Sequence, residues 1–126
     1  MPARRRIDPD AGRAALSAWL ADRDSGSPSA SRATVAMAVR WSLEELAARA
    51  PGHTAEVRVP PFGVVQCLDG PRHTRGTPPN VVETDAETWL GLVTGRQTWE
   101  RCVASGRLRA SGERADLSHL LPLIAT

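Results

Sequence analysis

The sequence predicts an α+β domain, a mainly antiparallel sheet of about five strands covered by helices. Two long early segments carry apolar residues at helical spacing, and residues 54–68 change to strict alternation. Shorter helical and strand-like pieces then follow each other to residue 124. At 126 residues the chain has the length of one domain, expected to span 1–126 with residues 1–7 as a flexible tail. Nineteen of its apolar residues are alanine, so only thirty-three larger apolar side chains remain to build everything dry.

The first helix is expected to start at Asp8. Asp8 caps, Pro9 suits the first helical position and Asp10 complements the positive end of the dipole. Ala15, Leu16, Trp19 and Leu20 form its stripe, and the polar segment Asp24–Ser29 ends it. A second helix is expected over Ser31–Ala50, with Val35, Val39, Leu43 and Leu46 in one line and Met37 and Trp41 beside it. A stripe that broad implies two packing partners. Pro51-Gly52 stops it. In Thr54–Val59, Ala55, Val57 and Val59 face one way and Glu56 and Arg58 the other, a half-buried strand. Pro60-Pro61 interrupts the ladder, and Phe62–Leu68 returns as an antiparallel partner.

A third strand, Asn80–Glu83, leads into a helix for which Thr84 and Glu87 have capping-box spacing. Trp89, Leu90, Leu92 and Val93 are its buried side and Gly95 its end. A short helix from Thr98 carries Trp99, Cys102 and Val103. Arg107–Ala110 is expected as a strand, and a final helix from Asp116 is expected to bury Leu117, Leu120, Leu121 and Ile124, with Pro122 limiting its regularity.

The net charge is +2, and all sixteen basic residues are arginine. They are scattered among acids, with a single run at Arg4–Arg6, so no nucleic-acid stripe is present. Cys67 and Cys102 lie in apolar surroundings without CxxC or Cys/His ligand spacing. This predicts buried free thiols, no metal and no cofactor. No apolar segment of signal-peptide type follows Arg4–Arg6, and no stretch approaches a membrane span, so the expected location is cytoplasmic.

Catalytic constellations are absent from the sequence pattern. Ser118 and His119 are adjacent on an expected helix and point in different directions; Cys67 near His73 is explained by packing. Glu44 and Glu45 fall on the expected wet side of the second helix, and His53 on an exposed helix end. No enzyme is predicted. The connection Asp69–Pro79 has two readings. His73, Arg75 and the loop amides can hold an anionic head group, or the loop is exposed and its arginines pair with Asp69 or Glu83.

Thr84–Arg96, Ser105–Gly112 and the leucine-rich Leu117–Ile124 together resemble the sterol-carrier-protein superfamily. Pro60-Pro61-Phe62-Gly63 and Arg75-Gly76-Thr77-Pro78-Pro79-Asn80 are similar to the short, stand-alone actinobacterial branch of it. The resemblance implies a non-enzymatic binder or transporter of a lipid or acyl chain, with Phe62, Val64, Leu92, Leu120, Leu121 and Ile124 as the apolar wall. The alternative is an interaction or oligomerisation module whose apolar groove takes a partner protein or a second copy, as in a homodimer. An enclosed pocket of about 300 Å3 or more favours the first, and an open groove over a filled interior the second. Thirty-three large apolar side chains cannot pack a core and also line a roomy tunnel, so a narrow acyl-sized cavity, or none, is expected.

Overall fold

The structure is a computed structural model that describes residues 6–26, 29–70 and 78–124. Its elements are α1 (Pro9–Asp24), α2 (Arg32–Arg49), β1 (Ala55–Val59), β2 (Gly63–Cys67), β3 (Asn80–Thr84), α3 (Ala86–Thr94), α4 (Trp99–Ala104) and β4 (Leu108–Ser111). A single 3-10 turn, Ser118–Leu120, follows. The class is α+β, as expected. Among the described residues the sheet has four strands rather than about five, in the order β2-β1-β3-β4. β1/β2 and β3/β4 are antiparallel and β1/β3 is parallel, so the sheet is mixed. β2 already brings the chain back along β1, so Cys67 at its end and Asn80 at the start of β3 both stand beside Ala55.

Local chemistry sets the helix starts. Asp8 accepts a hydrogen bond from the Ala11 amide, Ser31 from Thr34 and Thr98 from Arg101. At α3 the expected Thr84–Glu87 capping box does not form. Thr84 still belongs to β3, opposite Leu108, and its hydroxyl donates to the Arg107 carbonyl at 2.9 Å. Asp85 caps instead, accepting from the Thr88 amide at 2.7 Å, and Glu87 turns to Trp19 and Arg23. The expected C-terminal helix is replaced by the 3-10 turn. Pro122 has no amide to donate, and the amides of Leu123 and Ile124 both donate to the Val93 carbonyl, at 2.9 and 3.0 Å. The tail is therefore tied across the end of α3.

The core lies between the sheet and α1, α2 and α3. Ala55, Val57 and Val59 of β1 and Val82 of β3 point into it. The opposite sheet face carries the ion pairs Arg58–Glu56 (2.6 Å) and Arg109–Glu83 (3.1 Å). Trp19, Trp41 and Trp89 are all fully buried. The Trp89 indole donates to Ser42 Oγ at 2.9 Å and that of Trp19 to Glu87 at 3.0 Å; the Trp41 indole nitrogen has no partner among the described residues. Glu45, expected on the wet side, is only 8% exposed, because α2 is covered on most of its circumference; Arg49 neutralises it at 3.1 Å. Arg6 and Ile7, in the expected tail, donate their backbone amides to the Glu44 carboxylate.

The α1–α2 contact is set by Gly12, where a Cβ would lie 2.0 Å from Trp41 Cγ. Gly12→Ala would gain helix propensity but overpack a rigid indole. Its expected cost is about 2 kcal/mol, read as a fall of roughly 5–10 °C in melting temperature. An unchanged melting temperature would show that α1 can shift off Trp41 without penalty.

Candidate functional site

Arg40, Leu43, Glu44 and Ala47 recur at the three- and four-residue spacing that aligns side chains along one line of a helix. This line of α2 faces the start of β2. Gly63 allows the approach, since a Cβ there would stand 3.1 Å from Leu43 Cδ1. Between them runs a cleft of about 420 Å3, lined by Ile7, Leu43, Ala47, Phe62, Val64 and Val65, with Arg6, Arg40 and Glu44 as its polar members. One end is formed by the Arg6–Ile7 segment. The Arg6 amide lies 3.1 Å from each Glu44 oxygen, and the Ile7 amide 3.2 Å from Oε2.

Phe62 is the hinge of the site's chemistry. Its carbonyl accepts from Arg40 Nε at 2.9 Å, and the Arg32 guanidinium lies 5.1 Å from its ring centroid, a cation–π contact. Val64 is 56% exposed, which leaves an apolar surface beside the cleft without protein cover among the described residues. Cys67, further along β2, is fully buried.

The expected site residues do not form one wall. Phe62 and Val64 meet in this cleft, whereas Leu92 and Leu121 meet in a second one of about 260 Å3 beside Trp99 and Pro122. Leu120 and Ile124 are half-buried against the core and line neither. The reason is local: Leu120, Leu121 and Ile124 share a stripe on a continuous helix, and the chain there is a 3-10 turn followed by extended backbone. His73 and Arg75 lie outside the described residues. On α2, the cleft residues that the sequence did not assign to a site are Arg40, Leu43, Glu44 and Ala47. Their signal was the 40/43/44/47 spacing, hidden by its mixed polarity.

His53 Nδ1 lies 2.8 Å from Gln66 Oε1 on the surface, and Ser118 donates its amide to Asp116 at 2.9 Å. That backbone bond holds the Asp116 carboxyl below its ordinary range. Neither arrangement pairs a nucleophile with a base. Among the described residues no helix is long and apolar enough to cross a membrane.

A family model described as bacterial SCP ortholog matches residues 31–123. The chain belongs to that family. The SCP match opens at Ser31, the cap of α2, and closes at Leu123, where the tail is tied to α3. It therefore takes in the α2 and β2 sides of the cleft but neither α1 nor the Arg6–Ile7 end. No curated protein matches the sequence.

Burial pushes the Cys67 thiol up to about 11, and it raises Cys102 as well. The native state thus holds protons that the unfolded thiols release near 9.0. This contribution to stability is complete below about pH 9 and is lost as pH rises from about 9 to about 11. The urea midpoint should fall across that window, and less steeply in Cys67→Ala. Native protein at pH 8 should react with a disulfide reagent only as fast as it unfolds. Rapid labelling would contradict the burial of both thiols.

Proposed function

We propose that this single sterol-carrier-like domain binds or carries a lipid or acyl chain in the cleft between α2 and β2, without transforming it. The observation that carries the reading is the cleft itself. Its volume of about 420 Å3 lies in the range of small-molecule sites, its walls are mainly apolar, and Phe62 and Val64 stand at its mouth. Membership of the SCP family supports the same reading. The driving force would be removal of methylenes from water, at about 0.8 kcal/mol each. Eight buried methylenes would contribute about 6 kcal/mol before the cost of association. Three buried tryptophans occupy the interior, so the chain would lie along the surface of α2. Two buried thiols suit a cytoplasmic, reducing location.

A second reading draws on the open mouth of the cleft and the exposure of Val64. By the criterion of enclosed pocket against groove, an open apolar groove over a filled interior favours a face that binds a partner protein or a second copy; membership of the SCP family is what favours the carrier.

Denaturing mass spectrometry of organic extracts from the purified protein, paired with displacement of a fluorescent fatty acid, separates the two. The expected result is a co-purifying lipid and saturable binding at micromolar protein. Val64→Asp, at an exposed position, should weaken that binding about tenfold while leaving the melting temperature within a few degrees. If no lipid is extracted and the probe does not saturate, the carrier reading fails. Concentration-dependent self-association that Val64→Asp abolishes would then support the second.

A further inference from the structure

The geometry points to the outer edge of β2 as a docking edge: it receives an extended, acidic segment of a partner protein, which joins the sheet as a further strand. This rests on the second reading of the cleft, as a face for a partner, and deepens it by naming the partner's conformation and charge.

The lining of the cleft carries the argument. Gly63, Val64 and Val65 are consecutive residues of β2, and all three border it. Successive side chains of a strand point to opposite faces of the sheet, so neighbours in sequence border one cleft together only along the strand's edge. The register agrees. Val64 lies opposite Arg58, which pairs with Glu56 on the solvent face, whereas Val65 lies opposite Val57, which points into the core. An edge presents backbone N–H and C=O groups, and β2 has β1 as its one strand neighbour among the described residues. A plain hydrocarbon chain laid there would shield those groups from water without pairing them. An extended peptide pairs them.

β2 also lacks the devices that keep a sheet edge unpaired. Gly63–Cys67 contains no charged residue and no proline, and Val64 is 56% exposed. The opposite edge, β4, carries the exposed Arg109 in mid-strand. The open run on β2 has defined ends. Pro60-Pro61 precede it, and beyond Cys67 the Leu68 amide is taken by the Ala50 carbonyl at 2.8 Å. The five residues between are a common strand length.

Charge selects the partner. Arg6 and Arg40 border the cleft and the Arg32 guanidinium stands 5.1 Å from the Phe62 ring centroid, with Glu44 the one carboxylate of the lining. The Glu44 oxygens accept the amides of Arg6 and Ile7. Two copies of the chain would bring two such positive margins to one interface. Carboxylates at one end of an added strand would instead meet Arg40, whose Nε the Phe62 carbonyl holds at 2.9 Å.

Fluorescence anisotropy of the whole protein with labelled peptides tests this. The parent peptide is two aspartates followed by alternating valine and threonine, and a second has lysines for the aspartates. Two more are the parent N-methylated at one or the other set of alternate amides. The parent should saturate, about tenfold more tightly than the lysine peptide. An added strand turns alternate amides towards β2, so N-methylation of one set should weaken binding about tenfold and that of the other hardly at all. Amide hydrogen exchange within Gly63–Gln66 should slow on binding. Arg40→Gln should lower the ratio of parent to lysine-peptide affinity about fivefold, and Arg32→Gln, which breaks no backbone bond, about twofold. Equal effects of the two N-methylated peptides, or unchanged exchange in β2, would overturn strand addition and leave the partner face standing. Equal binding of the parent and lysine peptides would overturn the assigned partner charge. If no peptide binds but the protein self-associates and Val64→Asp abolishes this, the proposal falls and the second reading stands on a second copy. Absence of both peptide binding and self-association overturns the two together.

Discussion

The position of α2 is the constraint on which the other features depend. The helix is buried on several sides at once, with Val39, Trp41, Leu43 and Leu46 all inaccessible to water. Trp41 meets α1 at Gly12, Ser42 holds the Trp89 indole of α3, and Leu43 meets β2 at Gly63. Three neighbours are thus registered against one helix within three consecutive residues. Side chains on close-packed elements shift little, so this also fixes the angle at which Arg40 and Glu44 emerge.

That arrangement decides where apolar space is left. The volume between the helices and the sheet is taken by indoles, and apolar space reappears on the line of α2 beyond them. Under the proposed carrier reading, a chain bound there would keep its polar end in water and be buried only in part.

Much of the architecture could be read from the residues because it depends on local rules. Asp8-Pro9, Ser31 and Gly95 mark helix ends through capping and backbone chemistry, and the alternation of Ala55, Val57 and Val59 marks a strand with one dry face. The misreadings share a different cause. Thr84 is withheld from capping by its pairing in β3, and Glu45 is buried because neighbours cover α2. Leu120 and Ile124 leave the helical stripe because Val93 offers a carbonyl to the tail. Each was decided by a contact distant in sequence. The candidate cleft was only partly legible for the same reason. Phe62 and Val64 were indicated by the resemblance to the sterol-carrier superfamily, whereas Arg40, Glu44 and Ala47 on α2 join Leu43 in one lining only when β2 is laid against them.

The end of the cleft has a kinetic consequence. It is a segment of non-helical backbone held to one carboxylate by amide hydrogen bonds of 3.1–3.2 Å, with Ile7 packed beneath. Releasing it disturbs no strand and no helix, so its local opening costs far less than unfolding the domain. Under the proposed carrier reading, a guest in the cleft would exchange through that end on the timescale of loop motion rather than of global unfolding. Residence time and affinity would then be separable, the first set largely by Glu44 and the second by the apolar wall.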